Sequence, residues 1–469
     1  MKSGAKFSRR PDVLAKPTPG FLQRAPSVSS RAGYLVLATV VAPIFLLVAA
    51  WRTNSAKYRH WLLTAFVTMY GATIIIQYDP SGKGADGVRH LQMVYEHYTF
   101  MSFSQFLEDI WSVMTFQDAS HPGIRDLYKH LVSYLVGGVL GLPALFFTVI
   151  AFVYGYFFTG SFIEIFKHVR WRKANYVVLA FIFLLFLVKN IEGVNTVRTW
   201  TGLWVLMYGC LRYYDTKNKK YIFLMLLPPF IHFGYFLMVL PAVAVLLFGN
   251  RPKIYGILFV VSSLTTVFNP GDVTDIVDII ESTERGADAV QAYMLEEKQT
   301  WGELRDWVSN DIGGRWYRQF QFLGIQKWAL NLLIYVLLAG GIYRYVMNYR
   351  QRTLFSIGLV TLAFSNMTWF LYAVSNRSWI IGCVFVLSSF VMTRVDPVTA
   401  PRLLRTVPSY YSLGVHFSLI LFVPYILYNM SILVDYISLF MFVAPFLVWI
   451  DPEMNMSIKY ALQVILGIR

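Results

Sequence analysis

Residues 176–190 read YVVLAFIFLLFLVKN, an apolar run with no charge before Lys189, and its reading decides the fold. A helix needs roughly 20 largely apolar residues to cross a hydrocarbon core, because each backbone N–H and C=O must be satisfied within the segment where no water is present. Outward from this run, comparable stretches lie near 33–51, 61–77, 132–166, 199–211, 221–249, 254–268, 326–346, 354–374, 378–393, 409–430 and 433–450. The stretch 132–166 has the length of a crossing plus an approach helix. The stretch 221–249 is interrupted by Pro228, Pro229, His232 and Gly234, and reads as a hairpin or broken pair bent near His232. The expectation is an all-α, polytopic integral membrane protein with about twelve to fourteen transmembrane helices.

Composition agrees. Of 469 residues, 56% are hydrophobic and 14% charged, and the mean hydropathy is +0.51. Such a balance excludes a soluble multi-domain enzyme, a disordered scaffold and a nucleic-acid-binding factor. The formal net charge of +15 does not argue for nucleic acid, since Lys and Arg fall in short runs between apolar segments. Six such runs, beginning at Arg52, Lys167, Arg212, Arg251, Arg344 and Arg394, mark connectors expected in the cytoplasm. The connectors 78–131, 190–198, 269–325 and 375–377 are then expected outside. The first of these is a large connector and the third is acidic, long enough to serve as a lid over a substrate. Residues 1–32 form a basic, flexible tail without the apolar core of a signal peptide, and their charge conflicts with a simple first crossing at 33–51. The membrane domain spans 33–450, and the end of 451–469, SIKYALQVILGIR, is amphipathic and expected to lie against the membrane. Cys210 and Cys383 stand in apolar stretches without a second Cys or His nearby, and read as packing residues.

Ionisable residues at the ends of membrane segments cost several kcal/mol unless they face protein or water, so each is a candidate functional group. In GADGVRHLQMVYEHY, residues 84–98, Arg89 and Glu96 share a helical face and Asp86 is placed to cap the helix. The ordinary alternative is a capped amphipathic helix on the membrane surface. NIEGVNTVRTW, residues 190–200, sets Glu192 and Arg198 at the mouth of an apolar helix pair, where an Arg also snorkels to lipid phosphate. His232, in PPFIHFGYF, is the one titratable group other than tyrosine between Lys220 and Arg251; a lone buried His is more often a hydrogen-bonded core residue than a catalyst. Arg315 and Arg318 in GGRWYRQFQ and Arg377 in VSNRSW complete the set. Arginine matches phosphate oxygens with paired donors, although interfacial arginines also anchor helices without any ligand. No phosphate loop, HExxH pair or GxSxG elbow occurs, so ATP-driven transport, zinc proteolysis and serine hydrolysis lack their usual signatures.

The strings GADGVRHLQMVYEHY, NTVRTWTGLWVLMYG followed by DTKNKK, and PPFIHFGYFLMVLP resemble the Wzy-type polymerases of bacterial O-antigen and exopolysaccharide, within them the EpsG-like branch. The resemblance is most specific over roughly 185–250, an Arg followed one hairpin later by a membrane-embedded His; Lys83 departs from the arginine the family often carries before the Gly-x-Asp. It implies a glycosyltransferase on a scaffold similar to the GT-C class, without metal or other cofactor, in the bacterial inner membrane with its site facing the periplasm. The implied partners are undecaprenyl-pyrophosphate-linked oligosaccharides, membrane lipids and a chain-length regulator protein. On that reading His232 is the general base, with Asp86 or Glu192 as alternative bases or orienters. Arg198 and Arg377, then Arg318 and Arg89, would hold the pyrophosphate. A flippase for the same lipid-linked sugar, a ligase or single-addition glycosyltransferase, and a non-catalytic assembly subunit are the competing readings.

Overall fold

The structure, a computed structural model, describes residues 39–75, 86–115, 126–167, 175–265, 324–369, 371–395 and 409–467. The tail 1–32, most of the acidic connector 269–325, and Arg315 and Arg318 within it lie outside the described residues. Among those described, the chain is almost entirely helical and contains no strand, only an isolated bridge between Ser438 and Ser457. The first half comprises α1 (Ile44–Arg52), α2 (Ala56–Ala72), α3 (Asp86–Glu96), α4 (Phe103–Met114), α5 (Leu127–Tyr134), α6 (Phe146–Phe166), α7 (Tyr176–Val188) and α8 (Thr199–Thr216). Then come α9 (Lys220–Leu226), α10 (Pro228–Ile231), α11 (Tyr235–Met238), α12 (Leu240–Phe248) and α13 (Pro252–Thr265). The remainder is α14 (Ile325–Leu338), α15 (Ile342–Val346), α16 (Tyr349–Met367), α17 (Tyr372–Val395), α18 (Ser409–Tyr436), α19 (Phe446–Ile450) and α20 (Ile458–Ile465).

Among the described residues, five helical stretches are long and apolar enough to cross a membrane: Pro143–Phe166, Tyr176–Thr196, Ile325–Val346, Ala373–Val395 and Ser409–Tyr436. Of the other expected crossings, 33–51, 61–77, 199–211, 254–268 and 354–374 contain helices that are shorter or more polar, whereas 433–450 is not one helix but the end of α18, a 3-10 turn at Leu439–Met441 and the five-residue α19. The stretch 221–249 is divided into α9 to α12, and α16 buries Arg350, Gln351 and Thr353 against its neighbours. Caps set several boundaries: Asn175 accepts the Val178 N–H at the start of α7, and Asn348 with Gln351 forms a reciprocal capping box on α16.

Small residues let the central helices approach. A Cβ on Gly358 of α16 would stand 2.7 Å from Val386, and one on Gly382 of α17 would stand 2.6 Å from Leu362, so the two helices cross glycine to glycine. In α6, a Cβ on Gly155 would come within 2.9 Å of Val67 on α2. Of the apolar window of α17, 89% is buried, against 22% for α18, which turns Leu413, Phe417 and Ile420 outward. α17 is therefore the inner post and α18 an outer wall whose bare apolar face suits lipid.

At one end of the bundle a buried carboxylate ties three helices together. Glu164 of α6 accepts from Arg212 of α8 at 2.6 Å and faces Arg350 of α16 at 3.5 Å. Arg350 also reaches Asp215, which Lys167 holds at 2.9 Å, and Arg212 donates to the Tyr221 hydroxyl. The other end of α8 begins at Arg198.

Candidate active site

The α7–α8 connection is a tight, strained turn. After α7, Asn190 accepts the Glu192 N–H and Ile191–Thr196 winds as a 3-10 helix. Val197 then sits at φ +58° and ψ −59°, with the Arg198 N–H donating to the Thr196 carbonyl at 2.6 Å. This is the rarer, strained form of γ-turn, and a β-branched residue at positive φ costs on the order of 1–3 kcal/mol. The surroundings impose it: Val197 is fully buried, its carbonyl accepts from Thr201 Oγ1 at 2.6 Å, and the Tyr154 hydroxyl bonds the Asn190 carbonyl while accepting from Trp204. Arg198 thus projects from a backbone fixed on both sides.

The second element is PPFIHFGYF. Pro228 and Pro229 have no N–H to donate, and His232 leaves the helix with extended backbone, φ −150° and ψ 121°, before α11 resumes at Tyr235. This broken segment is clamped to the start of α8. A Cβ on Gly202 would lie 2.7 Å from the Tyr235 ring, so only glycine admits that ring, and the Tyr235 hydroxyl then donates to the Thr199 carbonyl at 2.6 Å.

Asp126 joins the two. It occupies the position that would cap α5, yet its side chain makes no cap bond. Instead one carboxylate oxygen accepts from His232 Nδ1 at 3.0 Å and from the Phe233 N–H at 2.8 Å, and the other accepts from Arg198 Nη1. The Asp126 side chain is 1% exposed. Burial alone would raise its pKa, but the His232 hydrogen bond, the Arg198 charge and the Phe233 N–H outweigh burial and hold the carboxyl well below the usual range. A carboxylate acceptor at Nδ1 places the neutral ring's proton there and its lone pair on Nε2. Nε2 is buried and has no hydrogen-bond partner among the described residues.

Arg377 stands in the first turns of α17, partly buried and within electrostatic reach of His232 and Tyr235. Among the described residues it enters no hydrogen bond or ion pair. The site therefore presents a carboxylate-oriented imidazole with a free basic nitrogen and an uncommitted guanidinium. Such a pair can accept a proton and hold an anion.

The remaining sequence candidates fall elsewhere. Glu192 pairs with Lys189 at 3.5 Å, and that ammonium lies 4.5 Å from the centre of the Trp200 ring; the carboxylate on His232 is Asp126. Arg89 is exposed on α3 and lines a shallow groove with Gln92, Met93, Glu96 and His97. α3 starts at Asp86, whose side chain is outside the described residues, and its Gly87 packs so closely on Asn195 that a Cβ would collide with it. The start of α3 consequently abuts the 3-10 turn before Arg198. Asp126 was not among the sequence candidates; the available signal was an acid immediately before a helix that leads into a membrane run.

Comparison with known proteins finds no matching family model, and no significant similarity to a curated protein or to a solved structure.

Proposed function

We propose that this chain is a glycosyltransferase that polymerises lipid-linked oligosaccharide units on a GT-C-like membrane scaffold. The observation that carries the reading is the Arg198–Asp126–His232 cluster, whose Nε2 has no hydrogen-bond partner among the described residues, within electrostatic reach of Arg377, which is unpaired among them. His232 Nε2 takes the proton of an acceptor sugar hydroxyl as that oxygen bonds the anomeric carbon of the growing chain. The bond from that carbon to the undecaprenyl pyrophosphate breaks, and its electron pair goes to the departing phosphate oxygen. Positive charge from Arg377 meets the charge that develops there, in surroundings poor in water. The bacterial inner membrane, with the site facing the periplasm, is the setting this chemistry suits.

The broken helix at His232 also fits a flippase, since transporters place interrupted helices at their substrate sites. The deciding experiment gives purified protein in lipid an undecaprenyl-pyrophosphate oligosaccharide and resolves products on a gel. A ladder of repeats, lost in His232→Ala, is expected. Movement of the unextended lipid-linked sugar across the vesicle, with no ladder, would replace polymerase by flippase.

A further inference from the structure

The two arginines of the site stand in unlike surroundings. Arg198 follows the strained Val197 turn, and its Nη1 is engaged by the buried Asp126 carboxylate. Its charge is largely balanced by that partner, whose own negative charge opposes the approach of another anion. Arg377 carries no such partner among the described residues, while both arginines are only partly buried. We propose that the two have separate tasks: Arg377 is the anion-binding residue, and Arg198 is a positioning residue that acts through Asp126 on His232. The assignment rests on the reading above only for the nature of the anion, a lipid pyrophosphate.

The geometry shows how Arg198 would act at a distance from the reacting atoms. Three donors hold the Asp126 carboxylate: His232 Nδ1, the Phe233 N–H and Arg198 Nη1. The first two share one oxygen, so Arg198 alone fixes the other among the described residues and with it the rotation of the carboxylate. Remove that guanidinium and a buried charge loses its cation, and the imidazole loses the register that keeps its lone pair on Nε2. Asp126, Arg198, Arg377 and Tyr235, whose ring centre is 6.3 Å from that of the imidazole, are the charged and titratable groups around His232 among the described residues. A change at Arg198 therefore reaches the proton step through Asp126, whereas a change at Arg377 meets the anion directly.

The test measures binding of inorganic pyrophosphate to the full-length protein in lipid nanodiscs, together with the ¹⁵N imidazole spectrum of His232 across pH. Arg377→Gln should weaken binding by at least about tenfold and leave the Nδ1–H tautomer signature of His232 in place. Arg198→Gln should hold binding to within about threefold while altering that signature and its pH dependence. Should Arg198→Gln fail to fold, Arg198→Lys retains charge and a donor, and is expected to keep binding while partly restoring the signature. Loss of binding in the Arg198 variants with an unchanged imidazole spectrum would overturn the assignment, as would full binding in Arg377→Gln. Neither readout needs polymer, so absence of a product ladder with this split intact would sink the polymerase reading and leave the division of tasks standing.

Discussion

Asp126 and His232 stand 106 residues apart in the chain and 3.0 Å apart in the fold, joined carboxylate to imidazole. The bond converts an isolated membrane histidine into an oriented base, because a fixed Nδ1 proton leaves Nε2 as the nitrogen that can accept another.

Asp126→Asn should keep the shape of the site while removing the charge that selects the tautomer. Turnover is expected to fall by about 10²–10⁴-fold, the range of a lost general base, and His232→Gln should fall as far. Rates of chain extension on a defined lipid-linked acceptor check both. Equal loss in the double variant would show that the two act as one unit.

Acid stability tests the depressed pKa of Asp126. A group whose folded pKa lies below its unfolded value, about 3.9 for Asp, stabilises above that value and loses the contribution as pH falls through the folded pKa. Thermal unfolding in detergent should thus be insensitive to Asp126 between neutral pH and about pH 5, and its contribution should decline only in stronger acid. Asp126→Asn is expected to flatten that acid limb relative to wild type.

Gly202→Val tests the clamp between α8 and the broken helix. With 2.7 Å available between a Cβ and the Tyr235 ring, the added side chain must push that ring outward. Overpacking of this kind costs about 1–3 kcal/mol, and here it also moves His232 relative to Arg198. Tyr235→Phe, which removes only the hydroxyl bond to Thr199, should cost about 1 kcal/mol. Unfolding midpoints in detergent, paired with extension rates, separate the two effects.

Glu164→Ala probes the far end of the bundle. It leaves Arg212 and Arg350 without their shared carboxylate, but Arg350 keeps Asp215 and Arg212 is partly exposed, so the cost is expected to fall below the roughly 3–5 kcal/mol of stranding a fully buried charge. Adding Arg212→Met, which removes one stranded charge, should recover part of that loss. Unfolding midpoints of the three proteins check the expectation.

Helical class, membrane character and the break at His232 were legible because they are local: apolar runs, and prolines that cannot donate. Arg198 and His232 each stood out as polar groups where apolar ones were expected. Their link was not legible, since Asp126 lies 72 residues from Arg198 and 106 from His232, and sequence neighbours such as Glu192 offered nearer carboxylates. Local pattern equally gives no warning of the Val197 turn. A β-branched residue disfavours positive φ on its own, and only the burial and hydrogen bonds around it hold the strain.

The span between Asp126 and His232 also bears on how the protein is made. A ribosome adding roughly 5–20 residues per second needs roughly 5–20 s to cover those 106 residues, and Arg198 emerges before His232 does. For that interval the newborn Asp126 has neither its imidazole nor the Phe233 N–H, and a carboxylate without those donors depends on water. A pause in synthesis between residues 126 and 232 would therefore leave that carboxylate without two of the three donors that hold it in the finished fold.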